Sequence, residues 1–224
     1  MKTITRRAAT IVAAGALGLG GLAVATPALA GAGGPFGPGP ASTATADRGP
    51  GYGMGSGYGM GSGYGDGTCM GLAVIAEQGT LTDVQKATLA SMAQEEKLAH
   101  DLYAAFAARY DAVVFDHIGA AETQHLNAVR TLLQRYGVAD PTANQPAGTF
   151  TDPQVQADYD KLLAHGSASL SAALAAGQQV ERDDIAALKA ALNGLTAPDV
   201  KQVYTNLQAA SQQHLTAFTR WAAR

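Results

Sequence analysis

Cysteine is scarce in this chain, with one residue in 224, Cys69. A single cysteine cannot form an internal disulfide, so the fold must be stabilised by burial of apolar side chains. Three interpretations of Cys69 stay open: an exposed free thiol, a link to a second chain that would make a homodimer, or a residue without consequence. It does not directly follow a signal sequence, as a lipid-bearing cysteine would.

Long apolar runs are equally scarce, and the one that stands out lies at the N-terminus. It follows three basic residues and ends in the small-x-small sequence ALA at 28–30, which predicts a signal peptide over residues 1–30 with cleavage after Ala30. No later segment has eighteen consecutive apolar residues, so we expect no membrane span and a secreted or extracytoplasmic protein. The pair Arg6 and Arg7 leaves twin-arginine export as an alternative, but the following residues match that signal poorly and favour the general secretion route.

Basic residues are fewer than acidic residues once the signal peptide is removed. Cleavage leaves 12 of the 15 Lys and Arg residues against 18 Asp and Glu, a net charge of −6. An acidic chain without a basic stripe argues against nucleic acid and anionic membranes as partners.

A glycine-rich segment follows the signal peptide. The sequence GYGMGS occurs at Gly51 and again at Gly57, and GYGDGT follows at Gly63. Glycine at every second position makes ordering costly in backbone entropy, which predicts a disordered Gly/Tyr/Met-rich linker over residues 31–70. The alternative is a tyrosine-glycine segment that associates with a cell wall or with itself.

Strand-like alternation is nearly absent from Leu81 onward, where alanine, leucine, glutamine and charged residues dominate. A capping box at Thr82 and Gln85 opens the first helix, and Asp152-Pro153 opens a short one. The spacing of apolar residues predicts four long helices and one short helix. The long helices are expected at about 82–109, 116–136, 167–192 and 196–221, and the short helix at 153–165.

The order of these helices predicts the fold class. Short turns pair the first long helix with the second and the third with the fourth, and a connection of about thirty residues joins the two pairs. Among four-helix folds this connectivity is typical of ferritin-like bundles. We therefore predict an all-α, ferritin-like four-helix bundle over residues 71–224, with a long crossover that contains the short helix.

Polar residues interrupt the apolar stripe near the middle of every long helix. They are Glu96 in the first helix, Glu122 and His125 in the second, Glu181 in the third, and Ser211 and His214 in the fourth. A buried carboxylate is costly unless it is paired, and several together raise one another's pKa. Such a cluster either shares protons or surrounds a cation. Glu122 and His125 lie three residues apart on one helical face, so both can reach a single metal ion, as in bundle cores that hold iron or manganese.

The first helical hairpin does not align these residues well. YDAVVF at 110–115 is predicted as an extended turn, which places Glu96 about sixteen and Glu122 about ten residues from its middle. At 1.5 Å per residue the mismatch is about 9 Å. The extended segment must then run partway back along the bundle.

Four segments, EEKLAHDLY, AETQHLNAVRTLLQRYG, VERDDI and SQQHLTAFTR, resemble in order and spacing the ferritin-like domain-of-unknown-function family 2202. The resemblance covers about residues 70–222. In the wider superfamily the first helix is similar to that of rubrerythrins, with Glu96, Ala99 and Tyr103 in the matching places. This similarity selects Glu96 over its neighbour Glu95 as the carboxylate that points inward.

The resemblance implies two metal ions held by glutamates and by two Glu-x-x-His motifs. The last helix departs from this arrangement, because Ser211 stands where the second motif has its glutamate. Asp184, one turn after Glu181, is the predicted replacement. The metal ligands expected from the residues and the resemblance together are Glu96, Glu122, His125, Glu181, Asp184 and His214.

The first functional hypothesis is an exported protein that binds one or two iron or manganese ions, or zinc if the metal is captured outside the cell. Glu122 would bridge the ions, and His125 and His214 would hold one ion each. The resemblance implies reaction with dioxygen or peroxide, or metal handling. The alternative hypothesis is a secreted or cell-surface helical binding module with a degenerate site, in which the carboxylates share protons. Ser211 and the linker favour this alternative.

Other histidines and tyrosines have simpler interpretations. His100, His117 and His165 are predicted to face solvent or cap helices rather than bind metal. Tyr103 and Tyr204 either support the metal ligands or pack in the core, and the sequence leaves both interpretations open.

Overall fold

The computed structural model of the protein describes residues 73–224. This part of the chain contains five helices and no strand. They are α1 (Asp83–Arg109), α2 (Val113–Arg135), α3 (Pro153–Gly166), α4 (Leu170–Leu192) and α5 (Pro198–Ala222). None of these helices is long and apolar enough to cross a membrane. The signal peptide at 1–30, the linker at 31–70 and Cys69 lie outside the described residues and stay predictions.

Capping residues set the helix starts that the sequence predicts. Thr82 Oγ1 accepts a hydrogen bond from the Gln85 backbone N–H at 3.2 Å, and Gln85 Oε1 accepts one from the Thr82 N–H at 2.9 Å. This reciprocal pair confirms the capping box at the start of α1. Asp152 accepts from the Gln154 N–H at 2.7 Å, and Pro153 occupies the first position of α3.

The predicted extended turn at 110–115 is wrong. Helix α2 begins at Val113 rather than at Asp116, so only residues 110–112 connect it to α1. Val114 and Phe115 are buried in the first turn of α2. Their burial outweighs the local preference of valine for extended backbone.

The earlier start of α2 removes the mismatch expected in the first hairpin. Asp111 is the middle of the connection; Glu96 lies 15 residues before it and His125 lies 14 after it. His125, rather than Glu122, is therefore level with Glu96. No segment needs to run back along the bundle.

The helices pack in the predicted order. Helix α1 packs along α2 and α4 packs along α5, while contacts of α2 with α5 and of α1 with α4 join the two hairpins. The connection over 136–169 contains α3, which packs against α4 and α1. This arrangement confirms the all-α bundle with a helix in its long crossover.

Two apolar clusters occupy the core. The aromatic cluster includes Tyr103, Phe106, Phe115 and Phe218, together with residues of α3. The leucine cluster includes Leu89, Leu132, Leu188, Leu207 and Tyr204. Along each long helix, the polar interruptions fall between the residues of one cluster and those of the other, so a polar layer separates them.

A second set of buried polar residues attaches the crossover to α1. Lys97 forms an ion pair with Asp101, and its Nζ donates to the Pro146 carbonyl at 2.9 Å. Asp101 Oδ2 accepts from the Gly148 N–H at 2.8 Å, and Gln94 Oε1 accepts from the Asp152 N–H at 2.9 Å. These contacts give the loop before α3 a fixed position on α1.

The packing of Gly177 leads to a prediction about stability. A Cβ atom on Gly177 in α4 would lie 2.9 Å from the ring of Phe218, whereas one on Gly119 in α2 would lie 3.7 Å from Tyr103 Cβ. Both Gly→Ala changes gain helix propensity of about 1 kcal/mol, but Gly177→Ala also overpacks the core, at about 1–3 kcal/mol. We expect Gly119→Ala to match or exceed the wild type in free energy of unfolding. Gly177→Ala should unfold about 1–3 kcal/mol more easily than Gly119→Ala in urea denaturation. Equal values would contradict the close approach of α4 to Phe218.

Candidate metal centre

The six predicted ligands come from all four long helices and meet in the polar layer. Five of them are at most 2 % exposed, while Asp184 is half-buried. We call these five residues the Glu/His centre: Glu96 from α1, Glu122 and His125 from α2, Glu181 from α4, and His214 from α5.

Glu122 is the middle of the Glu/His centre. Its Oε2 lies 2.8 Å from His125 Nδ1, and its Oε1 lies 2.9 Å from His214 Nδ1. The two imidazole rings are stacked, with centroids 5.3 Å apart and an interplanar angle of 19°. The ligand atoms of Glu122, His125 and His214 all lie within 4.8 Å of one another, close enough to hold a metal ion together. One carboxylate therefore joins a histidine of its own helix to a histidine of α5.

Each imidazole also faces a second glutamate. Glu96 Oε2 lies 3.3 Å from His125 Nδ1, and Glu181 Oε2 lies 3.6 Å from His214 Nδ1. The centre thus consists of two halves, each with one histidine and one glutamate, which share Glu122. The first hairpin supplies one half and the second hairpin the other.

The pKa values of the three glutamates differ because only Glu122 contacts both imidazoles. Burial alone would raise the pKa of Glu122, but the charges of His125 and His214 and their hydrogen bonds outweigh it and hold the pKa far below its usual value. Burial raises the pKa of Glu96 to about 7, although His125 partly opposes the shift. Burial also raises the pKa of Glu181 above its usual value against the opposing effect of His214. The layer therefore holds more carboxylates than its imidazoles can neutralise.

Asp184 on α4 lies beside Ser211, the residue of α5 that stands where the expected metal site has a glutamate. Ser211 Oγ donates a hydrogen bond to Asp184 Oδ2. Burial raises the pKa of Asp184 well above its usual value, and the negative charges of Glu96, Glu181 and Glu122 raise it further. Asp184 is thus close to the three glutamates and in contact with the serine that replaces the fourth. This position agrees with the substitution expected from the sequence, while its role as a ligand stays a prediction.

Tyr103 both supports the centre and packs in the core. Its hydroxyl donates to Glu181 Oε1 at 2.7 Å. Its ring lies 5.1 Å from that of Phe218 between centroids, within the aromatic cluster. The hydrogen bond fixes one oxygen of Glu181, while Oε2 faces His214.

Sequence reasoning missed Glu95. The expectation that Glu96 points inward agrees with its 2 % exposure. Glu95 is nevertheless half-buried, and its Oε2 is buried with no hydrogen-bond donor among residues 73–224. Burial raises the pKa of Glu95 to about 8, and the charge of Asp184 contributes next. No apolar stripe contains Glu95, so only the contact of α1 with α4 could have indicated it.

The other histidines lie where the sequence predicts. His117 and His165 are exposed. His100 is partly exposed, and its Nδ1 lies 2.9 Å from Asp101 Oδ1, on the side of α1 that holds the crossover. These positions leave His125 and His214 as the histidines of the centre.

Comparison with known proteins places the helical part of the chain in a family. Residues 85–223 match DUF2202, an uncharacterized protein domain. The uncharacterized protein MJ0754 of Methanocaldococcus jannaschii is 36 % identical over 140 residues, which are 62 % of this chain and 76 % of that protein. The crystal structure of hypothetical protein MJ0754 from Methanococcus jannaschii DSM 2661 is similar, with a TM-score of 0.64 and 34 % identity over 66 % of this chain and 85 % of that one. The chain therefore belongs to the DUF2202 family.

Proposed function

We propose that this protein is an exported metal-binding protein that holds two ions in the Glu/His centre. Iron or manganese is the expected metal, and zinc is the alternative. The observation that carries the proposal is the position of Glu122, whose two oxygens each contact a different imidazole. A carboxylate placed in this way can bridge two ions, each bound by one histidine.

The donor set fits such ions. One half offers His125 Nδ1 with Glu96 Oε2, and the other offers His214 Nδ1 with Glu181 Oε2. Imidazole together with carboxylate suits iron, manganese and zinc. The excess of buried carboxylates is stabilised by the added positive charge. The last helix has Ser211 where the expected metal site has a second bridging glutamate. Asp184 is the candidate to take the role of that glutamate.

The chain's own residues would control the chemistry at these ions. Iron or manganese, when bound, supplies redox chemistry toward an oxidant such as dioxygen or peroxide. Tyr103 orients Glu181 through its hydrogen bond. The aromatic and leucine clusters exclude water from both sides of the polar layer. Export rests on the signal peptide predicted over residues 1–30.

A second candidate function is a secreted or cell-surface binding module whose centre holds protons instead of metal. Two observations favour it. Ser211 replaces a glutamate of the expected metal set, and the pKa of Glu96 is raised to about 7, so this carboxyl binds a proton readily near neutral pH. Metal content and the response to chelators distinguish the two functions.

Metal analysis is the direct test of the proposal. Protein reconstituted with Fe(II) or Mn(II) and freed of excess ions should contain about two equivalents per chain. Glu122→Ala removes the carboxylate shared by both halves, so its metal content should fall to less than half of the wild-type value. Glu77→Ala, which truncates an exposed glutamate, is the matched control and should behave like the wild type. Metal content near zero in the wild type, with a melting temperature that EDTA does not change, would support the binding module instead.

The metal-free protein should become less stable as the pH rises from 5 to 8. The carboxyls of Glu96 and Glu95 keep their protons up to about pH 7 and 8 in the folded chain, but release them near 4.5 when it unfolds. The folded state binds more protons in this window, so the free energy of unfolding decreases as the pH rises. Glu122 acts in the opposite direction, but only below pH 4.5, because its pKa is lowered.

Melting temperatures at pH 5.5 and 8 measure this dependence. Without metal, the melting temperature should be higher at pH 5.5. Added Mn(II) should raise it more at pH 8, because the ligands must be deprotonated to bind. A metal-free protein that melts at a higher temperature at pH 8 would show that these carboxyls are not protonated in the folded chain.

The Tyr103→Phe variant tests whether the hydrogen bond from the Tyr103 hydroxyl to Glu181 contributes to metal binding. The change removes the hydrogen bond to Glu181 Oε1 and keeps the ring in the aromatic cluster. Loss of such a supporting hydrogen bond typically weakens metal affinity by about 10- to 100-fold. Tyr159→Phe is the matched control, since Tyr159 packs against Phe150 in the crossover. Equal Mn(II) affinity of both variants in titration calorimetry would assign Tyr103 to packing alone.

A further inference from the structure

The Glu/His centre lies below the surface of the bundle, so an ion can reach it only when the helices move apart. All five of its side chains are at most 2 % exposed. Two contacts between the hairpins, which we call seams, enclose it: α1 packs against α4, and α2 packs against α5. A buried site becomes accessible through the local opening that costs the least free energy. The less firmly closed seam is therefore the expected route.

A further layer of structure covers the α1–α4 seam. Helix α3 packs against both of its helices. The loop before α3 is held on α1 by hydrogen bonds of Gln94, Lys97 and Asp101. At the end of α1, the Tyr110 hydroxyl donates to the Gly166 carbonyl at 2.7 Å. Opening this seam would require the release of both α3 and the loop.

The α2–α5 seam is less covered. Within residues 73–224, no other helix packs against both α2 and α5. The two helices meet in the aromatic cluster, where the ring centroids of Phe115 and Phe218 are 5.5 Å apart. They meet again in the polar layer, where the imidazole of His125 is stacked on that of His214. Separation of α2 from α5 would expose both imidazoles of the centre, because each helix carries one of them.

An extended segment connects the two helices at the other end of this seam. Residues 73–79, which we call the N-terminal strap, precede α1 and contain no helix or strand. Gln202 on α5 accepts a hydrogen bond from the Ala76 N–H at 2.9 Å and donates one to the Ala73 carbonyl at 3.1 Å. Arg135 on α2 donates to two carbonyls of the strap, at 2.8 and 3.1 Å. The strap therefore joins the last turn of α2 to the first turns of α5.

Gly79 fits closely where the strap ends. Its N–H donates to the Tyr136 hydroxyl at 3.0 Å, and this hydroxyl donates to Asp199 Oδ1 at 2.6 Å. A Cβ atom on Gly79 would lie 2.5 Å from Ala197 Cα, so only glycine fits here without a shift of the strap. The strap precedes residues 85–223, which match the DUF2202 family. It is therefore additional to the part of the chain that matches the family.

We propose that the N-terminal strap is a latch on the α2–α5 seam, and that ions reach the Glu/His centre through this seam when the strap detaches. The access route rests on the proposed function, whereas the latch does not. Glu122 and Arg135 are 13 residues apart on α2, so the strap lies about 20 Å from the centre along the bundle. At that distance the strap affects how often the seam opens and leaves the ligands in place. The contact of Phe115 with Phe218 keeps the opposite end of the seam closed.

Hydrogen exchange of the metal-free full chain tests the latch. Gln202→Ala removes both hydrogen bonds of this side chain to the strap, and Gly79→Val displaces the strap by its clash with Ala197. In both variants the amides in the last turns of α2 and the first turns of α5 should exchange about tenfold faster than in the wild type. The reason is that helix ends unfold locally when they lose their packing.

Gln134→Ala is the matched control for hydrogen exchange. Gln134 is an exposed glutamine beside Arg135 at the same end of α2, and its side chain forms no hydrogen bond within residues 73–224. Its amides should exchange as in the wild type. Wild-type exchange in both Gln202→Ala and Gly79→Val would overturn the latch, whether or not the protein binds metal.

The kinetics of Mn(II) exchange test the access route. In Gln202→Ala and Gly79→Val, uptake of Mn(II) and its release into excess EDTA should both become about tenfold faster, while the Kd from titration calorimetry stays unchanged. Wild-type rates in variants whose helix ends exchange faster would overturn the route. Faster release without faster uptake would also overturn it, because the strap would then support the ligands themselves. If the wild type binds no ion, the proposed function and the route fail together, and hydrogen exchange still decides the latch.

Discussion

The position of Glu122 between two imidazoles is the interaction on which the centre depends. Glu122 is 2 % exposed, and both its oxygens contact a histidine Nδ1 within 3 Å. Without the positive charges of the two imidazoles, burial would raise the pKa of Glu122 and favour its neutral form. The contact also links α2 to α5, so the same carboxylate that organises the polar layer connects the two hairpins. Helices selected for stability alone would bury leucine in this layer, because burying a charge costs several kcal/mol.

The hairpins explain why the centre has two similar halves. A short connection forces α1 and α2 to run antiparallel, and it sets Glu96 level with His125. The second hairpin brings Glu181 to His214 in the same way. Glu122 breaks the equivalence, because the residue in the corresponding place on α5 is Ser211. Ser211 instead donates a hydrogen bond to Asp184, a carboxylate of α4 that lies one turn after Glu181.

The sequence predicts a helix and its buried polar residues well when the helix has a single apolar stripe that packs in the core. Polar residues within such a stripe, such as Glu122 and His214, are visible because they break a periodic pattern. Helix α1 is different, because it packs against α2, α4 and α3 and is buried on several sides. Lys97 and Asp101 lie on a side that looks solvent-facing in the sequence, yet they are buried under the crossover loop. Glu95 was missed for the same reason, because the apolar stripe of α1 does not show that α4 covers another side of this helix.

Protons and cations compete for the same oxygens in this layer, which relates the two candidate functions to each other. Glu96 and Glu95, with pKa values of about 7 and 8, hold protons near neutral pH when no metal is present. A cation that binds must displace those protons, so its apparent affinity increases with pH. If the proposed metal binding holds, the proton-holding form and the metal-bound form would be two states of the same cluster, and they would differ by the free energy of exchanging protons for a cation. Glu122 is the exception, because the charges of His125 and His214 lower its pKa and keep it ionised even when the layer holds no metal.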